Sequence, residues 1–556
     1  MSSVFLSNVD DYLAPSQACV NPLFAESVNT KKEDDTPEEV KPAVVVPRTR
    51  TIRRKRKPLE GGAIIPSAPQ ETAKVSMADC LACSGCVTSA ETVLVEQHSL
   101  KTLKKKLAAT TNKSIVFTVS PASWADMLRH LQISDAAATR RKLATFLHQT
   151  CRASVVLDGQ VPLKWSLEEA AREFCHAYEH RTSSSPPPAS IALSATQSQL
   201  LQDGSIVTHN ARSESHLPLV SSSCPALVCL VEKSYPTIVP HLATTKSPMS
   251  LAGCYFSESL HFCIMPCHDK KLEASRKDFV VDEQPDVDLV ITTQEWIELI
   301  GQTCGSTDVD AMRQFVESLE PATSVSSLEQ SRDEHKVVLV EPQFGNDAET
   351  MEVDDDFFAH SSGGYADFIF RYSAHHLFGY PTEGPLPWKP VASRGKMSAR
   401  VAASRKKDYH AVSLHRLEDG SYSMEPQENG TPVLRFVTAY GFQTLQRILQ
   451  PLDKGELEFD YVEAMACPSG CLNGGGQVRL VDRETPKETR QRVAETRCHM
   501  KLPTSDTNRD VYSKVCPSGP FGAEAQLRLH TRYHVVPPLQ HSLGAAAGVA
   551  VLDTQW

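Results

Sequence analysis

Three cysteines at successive three-residue steps, Cys80, Cys83 and Cys86 in MADCLACSGCVTSAE, restrict what this chain can fold around. One C-x-x-C pair suits a redox couple or half of a zinc site. Three thiols at this step instead wrap one corner of a cubane, each sulfur reaching a different iron. The small residues Ala82, Ser84 and Gly85 let the backbone curl closely and aim amide N–H groups at the sulfurs. No cysteine follows until Cys151, so the fourth ligand comes from elsewhere. Upstream there is a single cysteine, Cys19 in QACVNP, and it is the candidate. Two plainer readings compete. Cys19 suits a buried thiol in a short N-terminal strand. The triplet suits zinc with a histidine such as His98, although structural zinc sites usually show two well-separated ligand pairs.

The surrounding composition narrows the setting. The 556 residues carry a net charge of −10, whereas a general nucleic-acid binder needs a basic face. No apolar run approaches the ~20 residues of a membrane-spanning helix. MSSVFLSNVDDYLAP lacks the basic and long apolar regions of a secretory signal, and Asp10 and Asp11 argue against a transit peptide. The expectation is a cytoplasmic protein, with the basic run RTRTIRRKRKP (Arg48 to Pro58) a candidate nuclear signal whose bland alternative is a solvated loop. Thiols are kept reduced in that compartment, so sixteen cysteines point to metal or catalysis rather than to disulfides.

Along the chain, residues 1–100 read as an N-terminal cluster-binding region with a charged, Pro-rich linker at 26–75. Apolar runs and helical periodicity then alternate. SIVFTVS, ASVVLDG, LHFCIMPC and DVDLVITT read as strands, and the stretches from Trp124 to Leu131, Ala138 to His148 and SLEEAAREFCHAYEHR as helices. KDYHAVSLH, PVLRFVTAY and LEFDYVEAM are further strands, and FQTLQRILQ an amphipathic helix. The expected fold class is α/β, with two lobes of mostly parallel sheet. A first lobe would span 101–300 with a Ser/Pro-rich insertion at 183–215, and a second 301–480 with an acidic insertion at 302–360. Residues 481–556 would form a charged helix (Glu484 to Met500) and a tail.

Four more cysteines sit at strand ends or tight turns: Cys224 in SSSCPALV, Cys267 in IMPCHDKK, and Cys467 with Cys471 in ACPSGCLNGGGQ. The C-terminal edge of an α/β sheet is where ligands collect. Pro468 suits the first position of a helix, and the i, i+4 spacing would hold both thiols on one side. A cluster on four thiolates keeps negative charge and needs surrounding donors. Gly470, Gly474, Gly475 and Gly476 are candidates to supply them.

SSSCPALVCLVEKSYP, MPCHDKKLEASR and ACPSGCLNGGGQ resemble the three active-site segments of iron-only hydrogenases. Together with the N-terminal C-x-x-C-x-x-C and the remote cysteine, the chain is similar to their eukaryotic non-hydrogenase relatives. These are the cytosolic iron–sulfur assembly factors of the nuclear prelamin A recognition factor-like family. The resemblance spans most of 1–30 and 76–500, apart from the insertions. It implies a hydrogenase-like fold around a buried cluster, plus a small ferredoxin-like N-terminal region. It implies two 4Fe–4S clusters, one on Cys19, Cys80, Cys83 and Cys86, the other on Cys224, Cys267, Cys467 and Cys471. In hydrogenases the counterpart of Cys471 also bridges to a di-iron subsite, and a second, proton-shuttling cysteine precedes the counterpart of Cys224. Here Ser223 stands in that place, and the tryptophan usual after the CPA segment is missing. Lys270 matches a lysine that contacts a ligand of the di-iron site.

The resemblance therefore implies an assembly factor without hydrogenase activity, transferring clusters from a cytosolic scaffold to a targeting complex with a WD40 propeller subunit. A redox enzyme of the iron-only hydrogenase type is the alternative, and a zinc-structured interaction protein a third reading. Cysteines 151, 175, 229, 254, 263, 304, 498 and 516 read as core or surface thiols. Trp556, after Leu552-Asp553, is a candidate docking anchor for the targeting complex, with a frayed tail as the plain alternative. No membrane or direct nucleic-acid partner is expected.

Overall fold

In the computed structural model the described residues are 94–110, 113–133, 135–181, 199–200, 206–207, 217–325, 337–341, 364–382, 384–391, 408–425, 430–467, 470–478, 514–517 and 523–535. Cys19, the triplet Cys80, Cys83 and Cys86, the basic run, the stretch Glu484 to Met500 and Trp556 lie outside them. None of the described helices is long and apolar enough to cross a membrane.

Helix α1 (Leu100–Ala109) leads into β1 (Ile115–Val119), a run buried at every position. The crossover from β1 to β2 (Val155–Asp158) carries α2 (Pro121–His130) and α3 (Ala136–Cys151). Strand β2 feeds α4 (Gln160–His180), which starts before the SLEEAAREF stretch because Pro162 is at home in a first turn. The short β3 (Leu219–Val220) precedes α5 (Pro225–Ser234), and α6 (Pro248–Tyr255) precedes β4 (Leu260–Met265). Then follow α7 (Asp269–Ser275), β5 (Leu289–Thr292) and α8 (Thr293–Cys304).

The stretch 302–360, expected to be an excursion, instead supplies α9 (Val309–Glu317), β6 (Thr323–Val325) and β7 (Val338–Val340). Acidic residues on the outer face of α9 mask a stripe in which Met312 and Val316 are buried. The C-terminal part holds α10 (Tyr365–Phe378), β8 (Lys389–Pro390), β9 (Tyr409–Arg416), β10 (Thr431–Tyr440), α11 (Phe442–Asp453) and β11 (Tyr461–Met465). The final elements are α12 (Ala523–Arg528) and β12 (His534–Val535), the latter pairing with 206–207 inside the Ser/Pro-rich insertion.

Two six-stranded sheets result. The first runs β6-β7-β2-β1-β4-β5 and is parallel throughout. Parallel strands need helical crossovers, which cover both faces and explain why β1, β2, β5 and β7 are buried end to end. The second sheet runs β8-β9-β10-β11-β3, with a two-residue strand at Tyr422–Ser423 beside β9. Here only β10, β11 and β3 are parallel; β8, β9 and β10 are antiparallel. The reason is local: β9 buries only alternate residues, Val412 and Leu414, so one of its faces needs no helix.

The sheets interleave in sequence. Strand β3, from the first half of the chain, completes the second sheet, while β6 and β7, from beyond residue 300, extend the first. Each sheet has its own apolar core. Trp124 and Trp296 meet edge-on at 5.4 Å in the first, and Phe174, Phe436 and Tyr461 pack within 5.0–5.8 Å in the second.

Candidate functional site

The ends of β1, β2 and β4 from one sheet and of β11 and β3 from the other converge on one cavity of about 110 Å³. Its walls include Ser120, Gln160, Pro266, Met465, Ser223 and Cys471. Parallel strands terminating together is what brings residues so distant in sequence to one place.

The second cysteine group assembles beside this cavity. Cys224 caps the N-terminus of α5, with Pro225 as its first residue. Cys267 follows β4 after Pro266, and Cys467 lies two residues beyond β11. Burial pushes the Cys267 thiol well above its ordinary pKa, and Asp269, Cys471, Cys467 and Cys224 push it the same way through space. The other three sulfurs therefore each lie within electrostatic reach of Cys267. Burial, then Cys471, raises the Cys224 thiol to about 12. Its sulfur accepts the Ala466 amide N–H at 3.5 Å, tying the end of β11 to the start of α5. Among the described residues no three His, Cys, Asp or Glu groups are gathered tightly enough for a single metal ion.

Thiols this buried stay protonated unless a cationic core displaces their protons. The positive groups nearby fit such an exchange. Lys270, buried, is pulled down by burial and up by Glu273, Cys267 and Cys471, with a net upward shift. Its Nζ lies 2.5 Å from Glu273. The donor set thus fits an iron–sulfur core: four soft sulfurs, one lysine, and the Ala466 and Leu227 amides directed at Cys224.

The glycine run plays another part than the expected one. Gly470 N–H donates to the Cys467 carbonyl, Gly474 N–H to the Cys471 carbonyl and Gly476 N–H to the Pro266 carbonyl. A Cβ on Gly474 would stand 2.3 Å from Pro266 O, and one on Gly476 would strike Thr292 at 2.8 Å. These glycines let the 470–476 backbone lie directly on the Pro266-Cys267 turn, which brings Cys471 to Cys267. Around Cys471 the chain forms a 3₁₀ turn, Gly470–Asn473, rather than the expected α-helical spacing, and Gly470 has a φ of 72°.

Sequence reasoning missed the anchor of this segment. Asp126 accepts the Val478 amide at 2.7 Å, while Arg129, paired with Asp126, donates to the Val478 carbonyl at 2.8 Å. Gln477 donates to Ala122 O at 3.0 Å and accepts from Thr293 at 2.7 Å. The available signal was an Asp and an Arg three apart on the otherwise apolar helix WADMLRH. His98, weighed above as a zinc ligand, has both ring nitrogens engaged, with Ser275 Oγ at 3.1 Å and the Val290 amide at 2.9 Å. Ser223 Oγ and Gln160 Oε1 are buried at the cavity without a hydrogen-bond partner among the described residues.

Two interleaved α/β sheets ending on a four-cysteine seam, with Cys224 and Cys267 buried and Cys467 and Cys471 half-buried, define a hydrogenase-like protein. Residues 113–475 match the family "Iron only hydrogenase large subunit, C-terminal domain". Solved FeFe-hydrogenases share the fold. A structure on stepwise H-cluster assembly matches with TM-score 0.54 at 21% identity, and a variant of the Chlamydomonas reinhardtii enzyme with 0.54 at 22%. Each covers 78% of this chain and 98% of the hydrogenase chain. Similar along nearly their whole length are protein NAR1 of Arabidopsis thaliana (31% identical, 96% of each chain) and cytosolic Fe-S cluster assembly factor narfl of Xenopus tropicalis (29%, 97% of each). Cytosolic iron-sulfur assembly component 3 of Bos taurus is 31% identical over 96% of each chain. The chain belongs to the iron-only hydrogenase-like family, in the branch of cytosolic iron–sulfur assembly factors.

Proposed function

We propose that this chain is an iron–sulfur cluster assembly factor of the cytosol, carrying two 4Fe–4S clusters rather than catalysing hydrogen turnover. The observation that carries the reading is the meeting of Cys224, Cys267, Cys467 and Cys471 at the seam between the two sheets. Cys19, Cys80, Cys83 and Cys86 hold the other cluster, outside the described residues. When bound, an iron–sulfur core supplies electron storage and a transferable inorganic unit. The chain's own residues supply thiolate ligands, a compensating cation in Lys270, and exclusion of water. The factor accepts clusters from a scaffold and hands them on through a targeting complex with a WD40 propeller subunit, with Trp556 as the docking anchor.

The test is anaerobic purification with iron and sulfide quantification and electron paramagnetic resonance. Cys471→Ala and Cys86→Ala are each expected to remove about half of the iron and one spectroscopic signal while leaving the other. Zinc without acid-labile sulfide would overturn the reading. The cavity beside Cys471 and the neighbouring Lys270 favour one second reading, a hydrogenase. Ser223 stands against it, since a serine hydroxyl is far too weak an acid to shuttle protons in a cysteine's place. Hydrogen evolution from the anaerobic protein would establish it.

A further inference from the structure

A second set of reactive side chains lies apart from the cysteine quartet. Lys246 has a side chain with 0% exposure, and its Nζ sits 2.7 Å from Asp286 Oδ2 and 3.5 Å from Cys254 Sγ. Cys254 Sγ in turn lies 3.3 Å from Asp286 Oδ1 and 2.9 Å from the carbonyl oxygen of Arg528. The backbone dictates this meeting. A Cβ on Gly253 would fall 1.7 Å from Asp286 O, so α6 can rest on the Asp286 backbone only with glycine there. That contact presents the next residue, Cys254, to the Lys246–Asp286 pair.

We propose that Lys246 and Cys254 become joined by a nitrogen–oxygen–sulfur bridge when the protein meets dioxygen. The thiol, the neutral amine and one O₂ give S–O–N and one water. An S–H bond, an N–H bond and the O–O bond break, and S–O, O–N and the water O–H bonds form. Sulfur and nitrogen each lose two electrons and dioxygen gains four. At rest burial disfavours the Lys246 ammonium, but Cys254 and Asp286 outweigh it and hold the group above its ordinary range. The amine is freed only as its extra proton passes along the 2.7 Å contact to Asp286, whose own carboxyl burial holds above its ordinary range. The two hydrogens released from sulfur and nitrogen leave as water.

The surroundings favour this product over others. A sulfinate on Cys254 would place a new charge in a sealed site, which is costly, whereas the bridge is neutral and removes an ammonium from burial. Dioxygen, small and apolar, partitions into the cluster of Trp165, Leu251 and Tyr255 that adjoins Cys254. The bridge would tie α6 to the loop whose Ala243 amide bonds Val220 O, the strand leading to Cys224. Exposure to oxygen would thus leave a covalent mark one loop away from the quartet.

The test uses full-length protein purified anaerobically and split, half kept anaerobic and half exposed to air, then digested with trypsin without reductant. In the aired half, the peptide Ser234 to Lys270 is expected to survive uncut at Lys246. Its mass should rise by one oxygen less two hydrogens, with fragmentation placing the link between Lys246 and Cys254. Dithiothreitol should restore cleavage. Lys246→Arg keeps a cation for Asp286 and should give no such product; the wild-type peptide decides the matter even if that variant folds poorly. Normal cleavage at Lys246 after air would overturn the proposal. So would oxygen gain at Cys254 without hydrogen loss, or loss of two hydrogens with no oxygen, as in a Cys254–Cys516 disulfide.

Discussion

At the scale of single residues, the site depends on side chains that are missing. Gly474 lies so close to Pro266 that any Cβ forces the two segments apart. Gly474→Ala is expected to cost about 1–3 kcal/mol, as overpacking typically does, and to lower bound iron by shifting Cys471 from Cys267. Thermal melting with iron quantification would check it. A glycine run was visible in the sequence, but its purpose was not, because the partner backbone comes from 200 residues away. Cys224, Cys267, Cys467 and Cys471 were legible through their motifs; Asp126 and Arg129 were not, since a buried ion pair looks like any amphipathic helix until its acceptor is known.

His98 sets a pH dependence. Burial, then Lys271 and Lys106, lowers its pKa from 6.5 to about 4. The unfolded chain therefore takes up a proton as pH falls below 6.5 while the folded one does not. The folded state keeps its full advantage above 6.5 and loses it progressively toward 4. At pH 5 the loss should be about 2 kcal/mol, given about 1.4 kcal/mol per unit. Urea midpoints at pH 7 and pH 5 should differ less in His98→Gln than in the wild type.

Among the elements, α8 shows local chemistry fixing a boundary. Thr292 Oγ1 accepts the Glu295 amide while the Glu295 carboxylate accepts the Thr292 N–H at 2.7 Å, a closed capping box. Thr292→Ala should cost about 1 kcal/mol in chemical denaturation. It removes in addition the methyl that Gly476 packs against. Helices and buried strands such as β1, β2 and β5 were legible because their apolar periodicity is long or unbroken. The antiparallel half of the second sheet was not, because strand direction depends on which neighbour a strand finds. Strands β6 and β7 were hidden by their acidic, Ser-rich surroundings.

For the whole molecule, the two cysteine sets should differ in accessibility. The quartet around Cys267 lies among packed elements of both sheets, with Cys224 and Cys267 buried and Cys467 and Cys471 half-buried, whereas the proposed second set, Cys19, Cys80, Cys83 and Cys86, precedes the first sheet in sequence. A chelator added to fully loaded protein should strip iron in two phases, the Cys19, Cys80, Cys83 and Cys86 cluster first. Parallel spectroscopy of Cys86→Ala, which should retain only the slow phase, would assign them.

The placement of the quartet has one more consequence. Cys267 comes from the parallel sheet, while Cys224, Cys467 and Cys471 come from the mixed one, so an inorganic core held there would add a rivet to a seam that the 470–478 segment already stitches through Pro266, Asp126 and Thr293. Starved of iron, the newly made polypeptide would lack that fastening and open more readily at the seam, offering proteases a target. The cell's stock of this protein would then follow its metal supply without any change in transcription.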